Sequence, residues 1–239
     1  MERRTFLQTG ILAASFSLEH KYFHYSREET PFIVNAGIGG NNTADLLARM
    51  DKDCLAHKPD LTILMIGTND MNSRKHIPLP QYEKNLRQIV SAIRKTGSRL
   101  LMITILPGYE PYLYTRHPQS FYAPEGYQAR NKAVNDVIRK IADAEKQPLL
   151  DMHHVFETVG NIGVAPDSLL QNEVNSGKTD GIHPTPEGYR LMATVIYDCI
   201  IQRELPHKRV VCFGDSITFG DGGLEGRSYP AYLKKLFTY

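Results

Sequence analysis

A serine on a glycine-flanked turn and a histidine with an aspartate three residues before it are the residues of this chain best equipped for covalent chemistry. Ser216 stands in Arg209-Val-Val-Cys-Phe-Gly-Asp-Ser-Ile-Thr-Phe-Gly220. The run Val210 to Phe213 is short and β-prone, which suits a buried parallel strand, and Gly214 ends it at once. The residues after Ser216, through Tyr229 to Leu236, have helical composition. The serine is therefore expected on a strand-to-helix turn, with its hydroxyl clear of the sheet and its N–H at a helix N-terminus, where negative charge is favoured. In Asp180-Gly-Ile-His183-Pro-Thr-Pro186 the carboxylate can reach the imidazole across one turn, and the two prolines stiffen that turn. Nucleophilic ester cleavage needs a serine, a base, a group to orient the base, and donors aimed at the developing oxyanion. A lone Gly-Asp-Ser is an ordinary turn, and Asp180-x-x-His183 alone is an ordinary surface loop. Their combination carries the reading.

The elements that must position these groups repeat one pattern. Phe32 to Asn35 reads as a strand running into Ala36-Gly37-Ile-Gly39-Gly40-Asn-Asn42-Thr43, where Asn42 or Thr43 can cap a helix carrying Leu46 and Leu47. The glycine spacing fits neither the dinucleotide fingerprint nor a P-loop, so nucleotide binding is discounted. Leu61 to Ile66 is a second buried-strand run, ending in Gly67-Thr-Asn69-Asp70. A helix is expected over Gln81 to Thr96 with Gly97 as its stop, then a strand over Arg99 to Leu106. Pro107 to Gly126 reads as a long tyrosine-rich loop whose Tyr109, Tyr112 and Tyr114 either line a substrate site or pack on themselves. Further expectations are a helix over Tyr127 to Glu145, a strand over Pro148 to Met152, and a helix over Glu187 to Gln202. His153 and His154, adjacent in an extended chain, point to different sides and make a shared metal improbable. Strand and helix in alternation predict a mainly parallel sheet covered on both faces, with ligands at the carboxyl ends of the strands.

Composition narrows the class. At 239 residues, 41% hydrophobic and 23% charged, the chain has the make-up of an ordinary globular protein. A formal net charge of +2, with no Lys/Arg block, gives no reason to expect a nucleic acid or an anionic membrane as partner. Cys54, Cys199 and Cys212 are widely spaced and odd in number, so they read as buried small hydrophobes rather than as a disulfide framework or zinc site. Residues 1–30 read as an N-terminal tail or an export signal: Arg3-Arg4 precede Phe6-Leu7 and a modest apolar stretch, a twin-arginine-like pattern too short to span a bilayer. Residues 31–239 read as a single domain.

These segments resemble the conserved blocks of the SGNH hydrolases, also called GDSL esterases and lipases. Gly214-Asp215-Ser216 matches the first block, Asn35-x-Gly37-x-x-Gly40 the second, Gly67-x-Asn69-Asp70 the third and Asp180-x-x-His183-Pro184 the last. The resemblance implies a three-layer α/β/α sandwich with a mainly parallel, flavodoxin-like sheet. It implies Ser216 as nucleophile, His183 as base and then acid, and Asp180 as the residue that orients the imidazole. The oxyanion hole would combine the N–H groups of Ser216 and Gly40 with the Asn69 side-chain amide, and Asp70 and Asp215 would be supports. No metal or cofactor is needed by such a mechanism.

The order departs from the family, where the serine block comes first and the histidine block last. Here the serine block follows, as though the chain were circularly permuted, with the join at Arg203 to Lys208. Permutation is tolerated where the old ends lie close together at the surface. Lys235-Leu-Phe-Thr-Tyr239 echoes Lys21-Tyr-Phe-His-Tyr25, as an overlap at the opening point would. The strand before Ser216 is nonetheless expected in the middle of the sheet. The substrate expectation is a small acyl ester, acetyl before others, of a polar alcohol such as a carbohydrate; lysophospholipids and thioesters stay open within the same resemblance. A rival from another class is a catalytically silent carbohydrate-binding module on the same fold.

Overall fold

The computed structural model describes residues 30–221 and 224–238. The twin-arginine-like segment and the Lys21-to-Tyr25 echo lie outside the described residues.

Five strands form one sheet: β1 (Phe32–Gly37), β2 (Leu61–Met65), β3 (Arg99–Ile103), β4 (Leu149–Leu150) and β5 (Arg209–Gly214). Their spatial order is β1-β5-β2-β3-β4, and every neighbouring pair is parallel. The last strand in the chain thus lies inside the sheet, between the first and the second. Counted first instead of last, it turns the order into 2-1-3-4-5, the flavodoxin-like arrangement. Helices α1 (Thr43–Asp53), α2 (Leu79–Lys95), α3 (Glu110–Leu113), α4 (Tyr127–Ala144), α5 (Met152–Val159), α6 (Glu173–Ser176), α7 (Pro186–Gln202), α8 (Ser216–Phe219) and α9 (Tyr229–Thr238) connect or follow the strands. Among the described residues no helix is long and apolar enough to cross a membrane.

Alternation along the strands divides the core in two. Val211 and Phe213 of β5, Leu64 of β2 and Leu100 and Met102 of β3 pack with Leu46, Leu86, Ile89, Val134 and Ile138 from α1, α2 and α4. Val210 and Cys212, Ile63 and Met65, and Leu101 and Ile103 face the other way, toward Phe156, Met192, Ile196 and Leu233 from α5, α7 and α9. Because side chains leave a strand with a period of two, a strand buried on both faces reads as an unbroken apolar run, as β2 and β5 do. The three cysteines are unpaired, with Cys54 and Cys212 buried and Cys199 half-buried.

Local chemistry sets the element ends. Asn42 caps α1 in a reciprocal box with Asp45, and Thr185 caps α7 with Pro186 as its first residue. Helix α2 begins at Leu79, two residues before the expected start, because Pro80 sits in the first turn, where its missing N–H costs nothing. Strand β4 is only two residues long, shorter than expected, because the Asp151 side chain accepts the His154 N–H and starts α5. His153 and His154 consequently stand on a helix rather than on an extended chain.

Two expected stretches are organised differently. Pro107 to Gly126 is not an open loop, since it holds α3 and a 3-10 turn over Gln119–Tyr122. Ser216 starts a helix of a single turn, ended by Gly220 with φ of 65°. That left-handed conformation, natural only to glycine, turns the chain before α9 begins at Tyr229.

Candidate active site

The strand ends carry the site. β5 stops at Gly214 because no larger residue fits: a Cβ there would lie 2.3 Å from Thr218 Oγ1 and 2.4 Å from the Met65 carbonyl oxygen. The one-turn helix α8 thereby folds tightly back on the sheet. Gly37, at the end of β1, lies under the same turn, where a Cβ would fall 2.2 Å from the Phe219 nitrogen. The Asn35 amide donates to the Phe219 carbonyl at 3.2 Å. Asp215 caps α8 by accepting the Ile217 N–H at 2.9 Å, which leaves Ser216 as the first helical residue. Its N–H has no intrahelical acceptor, by the geometry of helix starts.

His183 reaches this turn from the other side of the cleft. Its loop is held along one edge by pairing with the stretch before α6: Gln171 N–H donates to the His183 carbonyl at 2.8 Å, and Gly181 N–H to the Gln171 carbonyl at 2.9 Å. Along the other edge Tyr109 N–H donates to the Gly181 carbonyl at 2.8 Å. Asp180 Oδ1 gathers the N–H groups of Ile182 at 2.9 Å and His183 at 2.7 Å, closing the turn that the sequence spacing implied. His183 Nδ1 lies 2.9 Å from Asp180 Oδ2, and Nε2 lies 2.9 Å from Ser216 Oγ. An ionised carboxylate only accepts, so the neutral ring carries its hydrogen on Nδ1 and presents a lone pair to the serine hydroxyl. Burial alone would raise the Asp180 carboxyl. The His183 ring's hydrogen bond and charge, with the two backbone donors, outweigh it and hold the group well below the usual carboxylate range.

Gly40 and Asn69 border the same cavity of about 330 Å³ as Ser216 and His183. Gly40 has φ of 76°. Asn69 Nδ2 donates to the Asn41 carbonyl at 2.9 Å and lies 3.5 Å from Asp215 Oδ2, while its oxygen accepts from Asn72 Nδ2 at 2.9 Å. Asp70 is buried beneath and accepts the Thr43 N–H at 3.0 Å and the Thr43 hydroxyl, fixing the start of α1 to the end of β2. Burial pushes both Asp70 and Asp215 up to about 6. On the far side of His183 a second, larger hollow of about 930 Å³ is bordered by Gln171, Asn175, Glu187 and Arg227.

The tyrosines of the 107–126 segment are not where a substrate-lining role would put them. Tyr109 and Tyr112 stack edge to face and back the histidine loop, so close that a Cβ on Gly181 would meet the Tyr109 carbonyl oxygen at 3.0 Å. Tyr114 packs on Tyr122. The residues this segment brings to the cavity are Arg116 and His117. Arg116 donates to Asp180 Oδ2 at 3.2 Å and to the Asp180 carbonyl. Arg49 of α1 was equally invisible in the sequence. It donates to the Asn41 side chain at 2.6 Å and to the Gly214 carbonyl at 2.8 Å, tying the glycine turn after β1 to the serine turn after β5. Both are arginines whose reach exceeds any local spacing rule, although Arg49 stands on the helix expected after Asn42 or Thr43 and Arg116 in the long 107–126 segment.

A hydroxyl, an imidazole and a carboxylate in hydrogen-bonded line at the carboxyl end of a parallel sheet equip the site for proton removal from a serine. The model of the GDSL-like lipase/acylhydrolase family matches residues 15–191, and the chain belongs to that family. It is a carboxylic ester hydrolase. The matched stretch ends before β5, so Ser216 lies outside it. Among relatives, an uncharacterized lipoprotein, YqeF, of Bacillus subtilis is 31% identical over 186 residues, covering 72% of this chain and 74% of that protein. An acetylxylan esterase of Geobacillus stearothermophilus is 27% identical over 173 residues, covering 67% and 68%. A solved lipase/acylhydrolase from Enterococcus faecalis shares the fold, with a TM-score of 0.54 at 24% identity over 69% of this chain and 72% of that one.

Proposed function

We propose that the protein hydrolyses small acyl esters, acetyl above all, of a polar alcohol such as a carbohydrate, through an acyl-enzyme on Ser216. The observation that carries the reading is the 2.9 Å approach of His183 Nε2 to Ser216 Oγ, with Asp180 behind the ring. His183 takes the hydroxyl proton as Ser216 Oγ attacks the ester carbonyl carbon, and a tetrahedral oxyanion forms. The N–H groups of Ser216 and Gly40 and the Asn69 N–H that makes only the long 3.5 Å contact with Asp215 stabilise that oxygen. The imidazolium returns its proton to the departing alkoxide, the alcohol leaves, and the acyl group stays on Ser216. Water, deprotonated by His183, then attacks the acyl carbonyl; Ser216 Oγ leaves, takes back the proton, and the carboxylic acid is released. Relatives named as acetylxylan esterases support the acetyl and carbohydrate elements.

The same reading takes the chain as a circular permutant, for which the sheet order and the end of the family match before β5 are the support. The Arg3-Arg4 pattern, together with a relative named as a lipoprotein, supports export.

The test is Ser216→Ala against the parent with an aryl acetate and a fluorophosphonate probe. The parent is expected to show an acylation burst and to take the label, and the variant neither. Undiminished turnover in the variant would remove Ser216 from the nucleophile's place.

A further inference from the structure

The cavity at Ser216 has an uneven charge. Arg74, Lys75 and Arg116 border it together with His117, and no carboxylate is among its bordering residues. Two of the three cations are engaged: Lys75 pairs with Asp45 at 2.9 Å, and Arg116 with Asp180 at 3.2 Å. Arg74 has no ion-pair partner among the described residues, and its backbone N–H is held by Asn72 Oδ1 at 3.0 Å. Arg116 is only partly satisfied, because its Nε is buried with no acceptor among the described residues. Burial first, and then the charges of Arg74 and Arg116, hold the His117 ring below its ordinary value. A neutral alcohol would gain nothing from these charges. An anionic oxygen at this edge would meet the exposed guanidinium of Arg74, which no carboxylate among the described residues neutralises, beside the engaged Lys75 and Arg116.

We propose that the alcohol half of the substrate carries an anionic group, a carboxylate or a phosphate, which binds against Arg74 and Arg116 at the edge of the serine cavity with Lys75 adding to the field. An acetylated acidic sugar has this chemistry: a neutral acetyl ester for Ser216 and a fixed negative charge a few bonds away. The inference rests on the esterase reading and narrows its substrate class.

The experiment compares acetate release from three matched glycosides: an acetylated uronate, the same compound with its carboxylate converted to the carboxamide, and the acetylated neutral hexose bearing a 6-phosphate. An aryl acetate serves as a separate check of ester hydrolysis. At low salt, kcat/KM for the uronate or the phosphate is expected to exceed that for the carboxamide by about tenfold or more. The better of the two anions then identifies the group. The advantage should shrink toward unity in Arg74→Gln and in about 0.5 M NaCl, where the screening length falls to a few ångströms. Equal rates for all three glycosides, with the aryl acetate hydrolysed, overturn the inference and leave the esterase reading standing. An anion advantage that survives Arg74→Gln overturns the assignment to this cluster. Failure on all three glycosides and on the aryl acetate overturns the esterase reading itself.

Discussion

Arg116 holds Asp180 at two points, the carboxylate oxygen that also faces the His183 ring and the main-chain carbonyl of the same residue. The guanidinium thus clamps the turn that carries His183, from a segment that lies 64 residues earlier in the chain. Replacing Arg116 by alanine is expected to lower kcat on an aryl acetate by about tenfold, since slight misplacement of a base weakens every step it serves. Lysine restores charge without the planar two-point grip, so Arg116→Lys should recover only part of the loss. Full recovery by lysine would show that charge alone matters.

Asn69 should act on the transition state rather than on binding. Its amide is held by Asn41 and Asn72, which orients it before substrate arrives. Asn69→Ala is expected to reduce kcat by about 10² to 10³ with little change in KM, the size seen when one oxyanion donor is lost. Steady-state kinetics on an aryl acetate measures both parameters.

Arg49 joins the glycine turn after β1 to the turn that carries Ser216. Deleting its guanidinium leaves the buried Gly214 carbonyl with the Ile38 N–H alone and strands the Asn41 side chain. Charge-assisted hydrogen bonds of this kind contribute about 2 kcal/mol, so Arg49→Ala should lower the urea midpoint accordingly. Activity should fall with it, because Asn41 also positions Asn69. A variant as stable and active as the parent would show that the contact is incidental.

The two buried aspartates give stability a pH dependence of definite sign. Asp70 and Asp215 have their carboxyls raised by burial to about 6, above the ordinary value of 3.8 that the unfolded chain would show. Between those values the folded protein binds more protons than the unfolded one, so stability falls as pH rises from about 4 to about 6 and levels off above. A two-unit shift corresponds to at most about 3 kcal/mol per group. Asp180, held low, works in the opposite sense: its contribution is present above about 4 and is lost on further acidification. Urea unfolding at intervals from pH 4 to pH 7 should show the decline, and Asp70→Asn should flatten it.

Gly214 tests the packing of the serine turn. With Thr218 Oγ1 2.3 Å and the Met65 carbonyl oxygen 2.4 Å from an added Cβ, the crowding involves backbone that cannot move without shifting β2. Gly214→Ala is expected to destabilise by several kcal/mol, at the overpacking end of the mutational range. Thermal unfolding of the variant checks this, and a Tm within a degree or two of the parent would contradict it.

The sequence by itself determined the local parts: the strand-glycine-polar turns, the capping of α1 by Asn42, the start of α7 at Thr185-Pro186, and the Asp180-to-His183 turn. Of these, the glycine turns and the Asp180-to-His183 turn depend on residues within one turn of each other and were legible as such; the cap of α1 was open between Asn42 and Thr43, and α7 begins at Pro186, one residue before the expected Glu187. The strand before Ser216 lies inside the sheet as expected, between β1 and β2, and the resemblance had implied the pairing of Ser216 with His183; tertiary structure alone set the two 2.9 Å apart across the cleft and made clamps of Arg49 and Arg116. It also replaced the tyrosines by Arg116 and His117 at the cavity. A long side chain can reach any of several acceptors brought near by distant segments, and no local pattern records which one it finds. Tyr109 and Tyr112 show the converse, since their apolar rings gain more by packing under the Gly181 loop than by facing an aqueous recess.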